Sequence, residues 1–298
     1  MAGGTPVPTH PPRGADVIAA PDAAELGNAC SGFSAADLTE LAGIAAQYRT
    51  AGGQFMRLVA GAGRAAQAVV DRFPGALSAG IDAAASWAMQ RAYGLARTSQ
   101  GSPTDMGWWN RRLRRLRGER GHRAGAMLSG GIGGFFGVPG TLADLPVTTT
   151  LILRSLQQIA EEHGFDPADP AVRIDCLTVF GMGGPSMGDD QIDSGLWAVR
   201  VGMARLLTPE LIASVAASEA FRLIVQRFGI VVSQKLLAQA APVVGAAAGA
   251  TINPLFTRYY QTMAHVHFRL RKLERAHDPD QVRACFERVL RSQQGAKP

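Results

Sequence analysis

"GGIGGFFGVPGTLADLP", residues 130–146, decides how this chain is read, with six glycines and two prolines in seventeen positions. A dinucleotide-binding turn would need a small residue where Phe136 stands, three after Gly133, and would need a strand in front of it. "GAGRAA" at 61–66 has the right spacing, but it sits inside a helical pattern, and no P-loop lysine follows any glycine run. The stretch therefore reads as a helix–corner–helix. Gly125, Gly130, Gly134 and Gly137 fall near one helical face and let a neighbouring backbone approach closely. Pro139 and Gly140 are expected to break that helix. Asp144 is expected to cap the next one, with Pro146 tolerated in its opening turn. That helix runs through "LPVTTTLILRSLQQIAEEH" and stops at Gly164, a left-handed cap. A second role for Asp144, as a ligand-facing carboxylate, stays open.

Working outward, the same punctuation recurs. Ser34 and Asp37 form a capping box ahead of Leu38, Leu41 and Ile44. Pro74 opens a helix over 76–97 with Leu77, Ile81, Ala84, Ala85 and Ala88 on one face. Asp169–Pro170, Thr208–Pro209 and Asp278–Pro279 each place a capping side chain before a proline at the first helical position. Apolar residues recur at three and four rather than two, and no hairpin turn is found. The expected fold class is all-α: a single multi-helix domain with glycine-rich, closely packed central helices. Its bounds are read as 34–292, after a disordered Pro/Gly/Ala-rich leader at 1–33 and before a disordered tail at 293–298.

The composition is 47% apolar and 18% charged, enough for a large core. The net charge of +6 is local: seven arginines and one glutamate lie between Arg111 and Arg123, so the rest of the chain is neutral. That argues against a protein-wide nucleic-acid surface. Cys30, Cys176 and Cys285 are odd in number and widely spaced, which predicts free thiols in a reducing cytoplasm rather than a disulfide framework. The uncharged runs 124–143 and 236–257 are diluted by Gly, Ala, Pro or Asn and read as buried helices, not membrane spans.

"GGIGGFFGVPGTLADLPVTTTLILRSLQQIAEEHGFD" (130–166), "CLTVFGMGG" (176–184) and "APVVGAAAGATINPLFTRYYQTMAHVHFR" (241–269) resemble the signature segments of the EcsC protein family, over roughly residues 60–275. The family is named for a protein encoded beside the subunits of an ATP-binding-cassette transporter. The resemblance implies a helical bacterial protein with a membrane or transport connection, and it implies no catalytic residues.

Several clusters carry candidate chemistry. In "EEHGFDPADP", Glu161, Glu162, His163, Asp166 and Asp169 gather carboxylates with an imidazole; Asp144, His163 and Asp166 are the catalytic candidates of a hydrolase or metal-dependent enzyme. Asp189, Asp190 and Asp193 in "GDDQID" are weak metal candidates that also suit a helix start. His265 and His267, two apart on a helix, point to different faces and are not expected to share a metal. Cys176 sits on an apolar face and reads as core. Phe135, Phe136 and Asn253 are the ligand-binding candidates, with Asn253 a buried amide that must find partners. "WWNRRLRRLRGERGHR" (108–123) places Trp108 and Trp109 before Arg111, Arg112, Arg114 and Arg115, which suits an anionic membrane surface and, less well, nucleic acid; a solvated linker, or a dock for acidic residues elsewhere, stays open beside both. The expected function is a non-enzymatic accessory protein, cytoplasmic and peripheral to a membrane or a membrane transporter. An enzyme and a soluble binding module for an apolar ligand remain as alternatives. No cofactor motif is present to name a cofactor.

Overall fold

A computed structural model describes residues 26–51, 137–182 and 245–295, together with Ala83, Trp87, Arg123, Arg200, Ile224 and Phe228. The first element is a 3-10 turn, Gly27–Cys30, followed by α1 over 35–51. Next come α2 (Gly137–Glu162), α3 (Pro170–Gly181), α4 (Gly245–Leu273) and α5 (Pro279–Gly295). The fold is all-α, with no strand among the described residues.

The expected caps form as local chemistry dictates. Ser34 Oγ accepts from Asp37 N at 3.2 Å while Asp37 Oδ2 accepts from Ser34 N at 3.0 Å, a reciprocal box. Asp169 Oδ1 accepts from Ala171 N at 2.8 Å, and Asp278 Oδ1 accepts from Asp280 N and Gln281 N. Gly164 adopts φ 79°, and the bonds Gly164 N to Glu161 O and Phe165 N to Ala160 O complete a Schellman motif at the end of α2.

The corner at 139–140 does not form. α2 begins at Gly137 and continues through Pro139, Gly140, Asp144 and Pro146 without interruption, so Asp144 is an interior helical residue rather than a cap. The physical reason is positional. Pro139 falls in the first turn, where N–H groups have no helical acceptor to lose, so the proline opens the helix instead of ending it. Gly125, Gly130 and Gly134 lie outside the described residues, as do the Thr208–Pro209 cap and the apolar face of the 76–97 helix. Ala83 and Trp87, off that face, are helical and exposed.

α2 and α4 form the centre and make the most extensive helix–helix contact of the described fold. α3 packs on both. Buried Phe180, Phe228, Phe256 and Tyr260 gather into one aromatic group of edge-on and tilted pairs, with ring centroids 5.0–6.2 Å apart. α1 is bound to α4 by Arg269, which grips both oxygens of Glu40 at 2.7 and 2.8 Å and reaches Gln47 Oε1 at 2.9 Å.

Two readings of the ends are corrected. Leu26 and Cys30 are core residues, so the folded chain includes positions assigned to the leader at 1–33, and α5 reaches Gly295, past 292. Cys30 is disulfide-bonded to Cys285 on α5, across 255 residues of sequence, while Cys176 is the free, buried thiol. An odd count and wide spacing say nothing about two cysteines that folding brings together. The cytoplasmic expectation therefore no longer has the cysteines behind it.

Candidate functional site

The segment that closes α2 and opens α3 faces the C-terminal half of α4. Here α3 carries one carboxylate, Asp175, in a buried run from Ile174 to Gly181 whose other polar side chain is Thr178. Asp175 Oδ1 accepts from His267 Nε2 at 2.9 Å, and Oδ2 accepts from Arg271 Nε at 3.2 Å. His267 Nδ1 lies 2.7 Å from an Arg200 terminal nitrogen. A guanidinium only donates, so Nδ1 accepts and the proton resides on Nε2. Arg200 also pairs with Glu274, and Arg271 approaches the other Glu274 oxygen at 3.6 Å. Asp175, His267, Arg200, Glu274 and Arg271 thus close into a ring of two anions, two cations and one neutral imidazole.

The electrostatics follow from that closure. Burial pushes Asp175 up, but His267, Arg271 and Arg200 outweigh it and hold the carboxyl below its ordinary range. Burial and Arg200 together depress His267 and keep it neutral, although Asp175 and Glu274 pull the other way. Both nitrogens of His267 are occupied, so it resembles a catalytic Asp–His pair only in its first half. No free lone pair remains to take a proton from a nucleophile.

A cleft of about 370 Å³ opens beside the ring, lined among others by Phe165, Asp166, Asp169, Asp175, Arg271 and Arg275. Asp166 Oδ1 accepts from Ala168 N at 2.8 Å, Asp169 caps α3, and Arg275 lies 3.9 Å over the Phe165 ring. Each charged group facing the cleft therefore has a partner within the chain.

His163 stands apart from this cleft. Its Nε2 is 2.9 Å from His265 Nδ1, one imidazole donating to the other. Burial, then His265, Arg269 and Lys272, lower its pKa to about 4, against the opposing pull of Glu40. The proposed catalytic set does not assemble. Asp144 lies nineteen residues before His163 along the same helical segment, roughly 28 Å at the α-helical rise. Asp166 turns to its own loop. His265 and His267 do point apart, one to His163 and one to Asp175, as their spacing predicts. Among the described residues, no three His, Cys, Asp or Glu side chains are grouped to hold a metal. Asn253 is fully buried on α4, which passes Pro254 without ending. Cys176 is core, and burial pushes its thiol pKa far up, so it is no nucleophile. Phe135, Phe136, Trp108, Trp109, Arg111, Arg112, Arg114, Arg115, Asp189, Asp190 and Asp193 lie outside the described residues.

Sequence reading missed the ring. Its one legible signal was Asp175, a carboxylate inside "AVRIDCLTVF", where an apolar helix leaves a charge no solvent and so requires a partner.

The model of the EcsC protein family matches residues 112–273, more than half of the chain, while no curated protein and no solved structure matches it. Four members of the ring fall inside that match and Glu274 is the next residue; the Cys30–Cys285 clasp lies outside it. On the extent of that match, together with the all-α fold, this chain belongs to the EcsC protein family.

Proposed function

We propose that this protein is a non-enzymatic helical accessory factor that docks on an anionic membrane surface, alone or beside a membrane transporter. The observation that carries the reading is Trp87, which is helical yet 55% exposed, with exposed Ala83 one turn before it. An indole left in water on a helical face suits the interfacial zone of a bilayer, where its ring and its N–H both find partners. The charge supports the same surface. The net +6 is concentrated in Arg111–Arg123, and Arg123 is bonded through Nε to Gln261 Oε1 on α4 at 2.7 Å, so the run meets the fold at a fixed point. No helix among the described residues is long and apolar enough to cross a membrane, and the docking proposed here is peripheral. Against a hydrolytic role stands the pairing of every charged group that faces the cleft.

Co-sedimentation with phosphatidylserine/phosphatidylcholine vesicles tests this. Wild type should pellet with them at low salt, be released as salt rises, and ignore pure phosphatidylcholine. Each arginine near the surface contributes about 1 kcal/mol, so Arg111→Gln, Arg112→Gln, Arg114→Gln and Arg115→Gln together should weaken binding roughly a thousandfold. Trp87→Ala should weaken it further at any salt. Wild-type protein that stays in the supernatant with anionic vesicles at low salt would refute the proposal.

A further inference from the structure

Among the described residues, two fully buried hydroxyls have no hydrogen-bond partner: Thr257 Oγ1 and Tyr260 Oη. Thr257 is anomalous among its own kind. Thr39, Thr50, Thr149, Thr178 and Thr262 each donate to the carbonyl four residues back at 2.7–2.8 Å. The same acceptor, the carbonyl of Asn253, is within reach of any threonine at 257, yet this hydroxyl does not use it. Tyr260 presents its ring to Phe180 and Phe256, with centroids 5.0 and 5.1 Å away, and its oxygen is buried.

The surroundings are polar on the same stripe. Asn253, Thr257 and Tyr260 recur at four and three on α4, so they lie one above another, and Ala250 precedes them by three. Ala250 contributes through its backbone. Pro254 has no N–H, so the carbonyl of Ala250, which points up the helix toward it, lacks its usual helical donor. The described side chains of this stripe, Asn253, Thr257 and Tyr260, are uncharged and suit an uncharged occupant. Buried hydroxyls without partners suffer their full desolvation, and such sites in proteins are filled by bound polar molecules.

We propose that Thr257 and Tyr260, on the side of α4 that meets Phe180 of α3, hold a small uncharged hydrogen-bonding guest, either water or a short hydroxyl-bearing compound. Burial raises the Tyr260 pKa well above that of a free phenol, so its hydroxyl stays neutral and is available as a donor.

The sign of two nearly isosteric substitutions decides the matter. If a guest bridges these hydroxyls, Thr257→Val and Tyr260→Phe each remove one of its hydrogen bonds, and each should lower the melting temperature by about 2–4 °C. If the site is dry, the same substitutions remove an orphan polar atom and should leave the melting temperature unchanged or raise it, which overturns the proposal. A crystal structure of the wild-type protein supplies the second readout. Density within hydrogen-bond distance of both oxygens is expected, a single peak identifying water and an elongated one a larger hydroxylated compound. Empty density around both oxygens would overturn the proposal even if the variants were destabilised.

Discussion

Asp175→Asn tests the charge ring directly. The substitution keeps an oxygen for the His267 N–H but removes the anion and can turn an NH₂ toward Arg271, donor against donor. Asp175 and Glu274 have side chains 10% and 6% exposed, and Arg200 6%, so water cannot take over their role. Removing one partner of a buried pair costs about 3–5 kcal/mol, because the remaining charge stays buried and uncompensated. In a domain of this size each kcal/mol moves the melting temperature by about 2–4 °C, so a fall of roughly 6–20 °C is expected in a calorimetric or circular-dichroism melt. The ring predicts more than a loss. Arg271→Gln in the same molecule removes the cation that Asp175 neutralises, so the double variant should be more stable than the sum of the singles by about 1–3 kcal/mol. The acid side is also set. A carboxyl held below its ordinary pKa contributes stability that is complete above about pH 4 and is lost as pH falls through the depressed folded value. Asp175→Asn should lack that acid-dependent component. A single variant within about 1 kcal/mol of wild type, or strictly additive singles, would refute the closed ring as a stabilising unit.

Three further outcomes follow from separate parts of the fold. His163 is neutral when folded down to about pH 4, whereas unfolded histidine protonates near 6.5; stability should therefore fall as pH drops through that window, and His163→Gln should flatten the fall in a pH series of melts. Reduction, or Cys30→Ser with Cys285→Ser, opens a loop of 255 residues and should cost about 2–4 kcal/mol, read as a lower melting temperature and, for the unreduced wild type, as a mobility shift between reducing and non-reducing gels. Gly164→Ala meets no atom within 4 Å but must hold φ 79°, so its cost of about 1 kcal/mol would be purely conformational, and Gly164→Asn should cost less.

What could be read in the one-dimensional text was what short-range geometry controls. Ser34, Asp169 and Asp278 cap because their oxygens reach N–H groups two or three residues on, and Gly164 ends α2 because only glycine adopts that backbone at little cost. His265 and His267 diverge because a helix turns about 100° per residue. The misreadings share one cause. Whether Pro139 opens a helix or ends one depends on where the helix starts, which the proline by itself does not decide. Cys30 finds Cys285, Asp175 finds His267 and Arg271, and Arg200 finds Glu274 across 74 or more residues of sequence. Spacing carries no information about such pairs, because their proximity is created only when α3 and α4 are brought together and when the start of the described chain meets α5. The polar stripe on α4 is the mixed case: its three- and four-residue spacing was visible, but only burial on every side left Thr257 and Tyr260 in need of a partner.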